Sequence, residues 1–211
     1  MRRFYAPDIT ADIKTAELRG DEFFHLKKVL RLKKGGQARL FNGKGLELIG
    51  SVGVVNKDFA VIEITGRAEN NTESPVDVLL ILGIVKGSKP EFVIQKATEL
   101  GVRKVGFYNA KRSVPNASVE KVKEKLSRWQ KVAISAVKQC GRAIVPDVCF
   151  EESLTALLVG TDGFTKLILW EGEANVAIKE VLKNAACKKG VVLLAGPEGG
   201  FDEGEVADRK S

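Results

Sequence analysis

Polar and apolar positions alternate over residues 37–41, 46–55 and 59–65, and turn-forming residues at Gly35-Gly36, Asn42-Gly43 and Asn56-Lys57-Asp58 break the runs. A period of two between closely spaced turns predicts the short strands of a small β-barrel or sandwich. Over residues 22–32 the period lengthens, with Phe23, Leu26, Val29 and Leu30 at helical spacing, which predicts one helix plugging an end of that module. Large apolar residues then vanish from Arg67-Ala68-Glu69-Asn70-Asn71-Thr72-Glu73-Ser74-Pro75. Such a stretch marks a linker, and it divides the chain into domains 1–70 and 71–211.

Beyond the linker the pattern alternates between strand and helix. Residues 76–85 form a near-continuous apolar run, the mark of a strand buried on both faces. Ser88-Lys89-Pro90-Glu91 follows with S-x-x-E spacing and a proline in the first turn, which predicts a capped helix carrying Val93, Ala97 and Leu100 on one face and stopping at Gly101. A strand at 104–108 completes a βαβ unit. The longest helix, 119–140, places Val122, Leu126, Trp129, Ala133 and Cys140 on one face and lysines on the other, and ends at Gly141. Strands at 166–170 and 191–195 alternate with a helix near 176–182, which gives an α/β domain with a mostly parallel sheet. Phe92 and Trp129 are read as packing residues.

Composition removes several classes. With 211 residues, 44% hydrophobic and 29% charged, the chain can bury a core and does not have the composition of a disordered protein. No apolar run approaches the roughly 20 residues that cross a bilayer, and Met1-Arg2-Arg3 is not followed by the apolar stretch of a secretory signal; a cytoplasmic location is expected. Three cysteines without CxxC spacing argue against a disulfide framework and against zinc. The net charge of +7 suits a polyanionic partner. Its distribution sharpens this, because residues 103–142 hold eleven Lys or Arg against two acids.

Candidate chemistry concentrates where the strand at 191–195 breaks into Gly196-Pro197-Glu198-Gly199-Gly200-Phe201. Ligands of open α/β sheets bind beyond the carboxyl ends of strands, and glycines let backbone groups approach them. The loop lacks the GxxxxGK[ST] and GxGxxG spacings of phosphate cradles. Asp202-x-x-Glu205 has the spacing of an acidic cap for a following helix. A tight turn with no ligand is the alternative reading.

Five segments together, Arg2-Arg3-Phe4-Tyr5, His25 to Leu32, Gln95 to Val102, Gln139-Cys140-Gly141-Arg142 and Gly196 to Phe201, resemble the RsmE family. These are bacterial 16S ribosomal RNA methyltransferases that modify N3 of a uridine near the decoding site. The resemblance implies a PUA-like β-barrel that helps to hold RNA, followed by a SPOUT α/β domain with a trefoil knot that binds S-adenosylmethionine without a metal. It also implies a homodimer acting on the small ribosomal subunit. It places Leu194, Gly196, Glu198, Gly199 and Gly200 around the cofactor, with Trp170 and Glu171 on a neighbouring strand end. Uracil N3 carries a proton, so Arg112 and Arg142 are the candidates for stabilising the anion that its loss creates. Arg2, Arg3, Lys27, Lys28 and Arg31 are the expected RNA contacts, through phosphate neutralisation. His25, the sole histidine, is read as structural. Family members continue past Ser211 with the segment that completes the knot, so a chain lacking it is expected to bind the cofactor weakly. Two other readings remain open at this point: a non-catalytic RNA-binding module, and the same fold acting on another rRNA or tRNA position.

Overall fold

The computed structural model describes residues 2–113, 119–173, 177–184, 189–202, 204 and 206. Cys187, Glu205, the start of the 176–182 helix and the tail 207–211 lie outside them. The chain divides into two compact units, one of residues 1–73 with 137–145 and one of residues 74–136 with 146–211.

The first unit is a curled five-stranded sheet. Its strands are β1 (Arg2–Tyr5), β2 (Thr15–Leu18), β3 (Gln37–Phe41), β4 (Glu47–Val55) and β5 (Ala60–Arg67), in the order β1-β3-β4-β5-β2. The β1–β3 pair is parallel and the other three are antiparallel. Register shifts at Ile49/Gly50 and Val52/Val54 interrupt the long β4–β5 ladder, and bulges of this kind bend a sheet. Phe4, Leu18, Leu26, Leu40, Leu48 and Ile62 form the core. The helix expected over 22–32 begins earlier and changes type, with α1 (Gly20–Phe24) running into a π-helical turn, His25–Val29. The wider turn throws the helical period off by a residue. Leu26 and Leu30 still face the core while Val29, expected among the packing residues, is exposed. Arg31 then takes a φ of +52°, the one left-handed non-glycine among the described residues, and ends the turn. His25 sets its ring edge against Phe4, 6.1 Å between centroids.

The second unit holds an all-parallel sheet of β6 (Asp77–Gly83), β7 (Lys104–Tyr108), β8 (Asp147–Glu151), β9 (Thr165–Leu169) and β10 (Gly190–Ala195), in the order β8-β7-β6-β10-β9. The connecting helices are α2 (Lys89–Glu99), α3 (Val119–Cys140), α4 (Leu154–Leu158) and α5 (Ile178–Asn184), and the last residues of α3 belong to the first unit. Ile81, Tyr108, Leu157, Val192, Leu194 and Phe201 share a core. Trp129 is buried, with its ring 4.8 Å from Phe107.

Two local expectations are corrected in α2. Ser88 sits in the helical φ/ψ region with no capping side-chain bond, and Glu91 is drawn outward to Arg128, 2.9 Å away, so the capping box does not form. Pro90 faces inward and sets the phase, burying Pro90, Ile94, Ala97 and Thr98. That phase leaves Phe92 62% exposed and Leu100 83% exposed, against the expected packing roles. Of the thiols, Cys140 and Cys149 are free and half-buried, and burial pushes Cys149 up to about 11.

Candidate active site

The sheet order brings the carboxyl ends of β6, β7, β9 and β10 together, since β6 and β10 are the central neighbours. Gly83 ends β6, and a Cβ there would lie 2.8 Å from Pro197 Cδ and 2.9 Å from Ala110 Cβ. The loops after β6, β7 and β10 are therefore in contact at this strand end, which requires glycine.

The loop after β10 closes on itself. The Gly200 N–H donates to the Pro197 carbonyl (2.9 Å), and Gly200 has a φ of +70°, a conformation that side chains rarely adopt. Phe201 anchors the far end by inserting into the core. Glu171, from the loop after β9, stands against the position a Gly200 Cβ would take, and Trp170 packs over Gly172 in the same way. Leu194 is buried beneath the loop, whereas Glu198 and Gly199 are exposed. Among the sequence-expected cofactor residues, Glu171, Leu194, Gly196, Glu198, Gly199 and Gly200 thus meet at one strand end, with Trp170 beside them.

Neighbouring loops fix this turn with charge. Lys89 Nζ reaches Glu198 Oε1 at 2.7 Å, and the Lys86 N–H donates to the same oxygen. The Lys89 hydrogen bond, followed by backbone N–H donors, draws the Glu198 carboxyl down to about 2. Hence the carboxylate keeps its charge through the whole range in which proteins ordinarily work. The side-chain carboxyl carbon shift of Glu198 is expected to hold from pH 8 to about pH 4 and to move only as the carboxyl protonates near its lowered value. A titration centred above pH 4 would contradict this geometry.

Arg112 lies on the opposite wall. Its Nη1 donates to the Gly199 carbonyl at 3.3 Å, its Nη2 is 3.8 Å from Asp202 Oδ2, and Lys111 Nζ is 3.5 Å from Asp202 Oδ1. The side chain is half-exposed, so the guanidinium is available at the mouth of the turn. Arg142, the other expected catalytic arginine, lies in the first unit. Its side chain is 3% exposed and forks onto Glu73 through Nε (3.2 Å) and Nη2 (2.8 Å). Sequence reasoning missed Gly83, Lys86, Lys89 and Asp202 as supports of the loop; the S-x-x-E spacing points Lys89 toward a capping motif instead.

The expected RNA contacts separate in the first unit. Arg2, Lys28 and Arg31 are exposed. Arg3 pairs with Glu47 at 2.9 Å, donates to the Arg142 carbonyl and lies over the Phe41 ring. Lys27 donates to the carbonyls of Asn56 (2.8 Å) and Lys57 (3.3 Å).

A strand-end cradle made of glycines fits a ligand held by backbone groups. Among the described residues no group of three or more His, Cys, Asp or Glu side chains is placed to hold a metal, and no helix is long and apolar enough to cross a membrane. Residues 72–211 match the RNA methyltransferase domain family and residues 18–65 the RNA methyltransferase PUA domain family. Fold, loop and matches define an RNA methyltransferase preceded by a PUA domain. The ribosomal RNA small subunit methyltransferase E of Bacillus subtilis is 31% identical over 91% of this chain and 77% of its own length. The crystal structure of that enzyme from Neisseria gonorrhoeae, bound to S-adenosylmethionine, has a TM-score of 0.86 at 32% identity, covering 98% of this chain and 84% of that one. A Legionella pneumophila methyltransferase in complex with the same cofactor has a TM-score of 0.84 at 31% identity, covering 97% and 83%. The chain belongs to the ribosomal RNA small subunit methyltransferase E family.

Proposed function

We propose that this protein transfers the methyl group of S-adenosylmethionine to N3 of a uridine near the decoding site of 16S rRNA, acting in the cytoplasm on the small ribosomal subunit. The observation that carries this reading is the 196–201 turn at the β10 end, with Arg112 donating to Gly199, in a chain that resembles the S-adenosylmethionine-bound Neisseria enzyme over 98% of its length. Leu194 beneath the turn, Trp170 and Glu171 beside it, and Gly196, Glu198, Gly199 and Gly200 within it are the residues that would hold the cofactor. When bound, the cofactor would supply an electrophilic methyl carbon on a sulfonium, with a neutral thioether as its leaving group.

The protein's own task is to make uracil N3 a nucleophile. N3 must give up its proton, to solvent water or hydroxide, for its electron pair to form the new N–C bond, and the charge spreads onto the flanking carbonyl oxygens. A guanidinium beside those oxygens stabilises that charge as it develops. Arg112 is the arginine whose side chain reaches the 196–201 turn; Arg142 stays in the proposal through its place in the Gln139-to-Arg142 motif, with Glu73 holding it. Arg2, Lys28 and Arg31 are the exposed cations for RNA phosphates, with Arg3 and Lys27 beside them. A homodimer completes the reading, supported by the apolar surface that Phe92 on α2 and Leu100 at its C-terminal cap leave exposed.

The test is methyl transfer to small subunits that lack the modification, with the product nucleoside identified by mass spectrometry. N3-methyluridine is expected, and any other methylated nucleoside overturns the assignment. Arg112→Ala is expected to lower kcat by about 100- to 1,000-fold, the size of a lost oxyanion donor. An unchanged kcat would remove Arg112 from the chemistry.

A further inference from the structure

We propose that a second nucleotide of the RNA, away from the methylated base, docks in a cavity of the first unit between the Lys33-Lys34 turn and the bulge of β4. This rests on the RNA-methyltransferase reading above and names a contact that reading leaves open. The cavity has a volume of about 480 Å³ and is lined by Leu32, Lys33, Lys34, Gly53, Val54 and Val55, all in the first unit.

Three features converge on it. First, the turn carrying the lysines is held rigidly. The Gly36 N–H donates to the Lys33 carbonyl (2.9 Å), the Gly35 N–H to the Val52 carbonyl (2.7 Å) and the Val52 N–H to the Gly36 carbonyl (2.9 Å). Gly35 has a φ of +83°, and Arg31 turns the chain into this segment with its own left-handed φ of +52°. Second, both lysines are exposed and, among the described residues, neither has a carboxylate within ion-pair distance, whereas Arg3, Arg19 and Lys138 of the same unit are each paired to a glutamate. Third, the shift between Val52 and Val54 in the β4–β5 ladder turns Val54 outward, leaving it 48% exposed beside Leu32 and Val55.

Two unneutralised ammonium groups beside an apolar wall match the two halves of a nucleotide. Phosphate is attracted by charge alone, and the face of an unstacked base can pack against apolar side chains. The Glu63 carboxylate packs over Gly53, so the phosphate belongs at the lysine end of the cavity and the base at the Val54 end. The exposed Lys28 and Arg31, a few residues before Lys33, extend the same positive run along the chain.

The experiment is fluorescence-anisotropy titration of a labelled 16S rRNA fragment containing the decoding region into the full chain at several salt concentrations, with parallel binding to small subunits that lack the modification. The double change Lys33→Ala with Lys34→Ala is expected to weaken binding by roughly tenfold at low salt and to flatten the log affinity–log salt slope by about 1, the step for one phosphate contact. Val54→Asn is expected to weaken binding about threefold with the slope unchanged, because it removes apolar contact and no charge. Circular dichroism and calorimetric titration of S-adenosylmethionine should match the parent for both variants. An affinity and slope unchanged in the double variant, with binding by the parent intact, overturn the subsite while leaving the methyltransferase reading standing. Loss confined to assembled subunits, with free RNA bound normally, also overturns it and assigns the cavity to a ribosomal protein. Absence of RNA binding by the parent chain overturns the subsite and the reading beneath it together.

Discussion

Gly196→Ala is expected to lower methyl transfer to small ribosomal subunits by at least about 100-fold, the size of effect that an ångström of misplacement in a reacting pair produces. The reason lies in what the new Cβ meets. It would lie 2.9 Å from the carbonyl carbon of Gly200 and 3.0 Å from the amide nitrogen of Phe201. These are backbone atoms on the returning limb of the same turn, so no rotamer change can relieve the contact. Phe201 is buried in the core below, which prevents the returning limb from retreating, and the turn must open at its mouth. Opening lengthens the Gly200 N–H to Pro197 carbonyl bond and carries Gly199 away from Arg112, so cofactor cradle and charged wall are lost together. At Gly200 the neighbour is the end of the exposed Glu171 side chain, which can swing aside; Gly200→Ala is therefore expected to be the milder variant despite its positive φ. Calorimetric titration of S-adenosylmethionine with a methyl-transfer assay separates the two, and equal activity of Gly196→Ala and the parent would refute the cradle.

The loops and the elements that carry them differ in how far they are legible along the chain. The strand at Lys104–Tyr108 and the helix at Val119–Cys140 carry long, regular patterns, and their bounds are legible from apolar spacing alone. The glycine turn is legible for a similar reason: glycines clustered directly after a buried strand mark a place where the backbone must turn tightly. Edge strands β1 and β2 are four residues each and mix charge with apolar positions, too short for a period to declare itself. The β8 strand, with Val148 and Phe150 buried on one side, is equally brief and hides beside the more prominent basic helix. The π-helical turn is illegible, because its extra residue per turn is decided by how Leu26 and Leu30 reach the core and not by local preference. Lys86 and Lys89 carry no signal at all as partners of Glu198, since more than a hundred residues separate them and only the sheet order joins them. The same holds for Arg142. Its motif marks it as important, yet spacing gives no sign of its partner Glu73, 69 residues away.

That enclosure sets the second large effect: Glu73→Ala is expected to destabilise the first unit by about 3–5 kcal/mol, the usual result of removing one partner from a buried ion pair. The Glu73 carboxylate accepts from Arg142 Nε and Nη2 and from the backbone N–H groups of Ala143 (2.9 Å) and Ile144 (3.0 Å). Alanine would remove the carboxylate that two guanidinium nitrogens of Arg142, a side chain only 3% exposed, donate to, and would take this acceptor from the Ala143 and Ile144 N–H groups. Nearby, Asn70 and Thr72 bind the Gly141 carbonyl and Arg3 binds that of Arg142, polar contacts of residues 137–145 that lie beside the altered site. Hydrogen exchange at the amides of β3 to β5 reads this unit by itself, which matters because a two-unit chain need not unfold in one step. The pH dependence supplies an independent check. Burial alone would push the Glu73 carboxyl up, but the Arg142 hydrogen bond, the Ile144 N–H, the Arg142 charge and the Ala143 N–H together outweigh it and hold the group below its ordinary 4.5. A carboxyl lowered by folding stabilises fully above its unfolded value and loses that contribution as pH falls through the folded one. The difference between parent and Glu73→Gln should therefore be constant from neutral pH to about pH 5 and shrink below 4.5. A loss under about 1 kcal/mol in Glu73→Ala, or a difference that grows as the solution is acidified, would show that Arg142 is not held by this carboxylate.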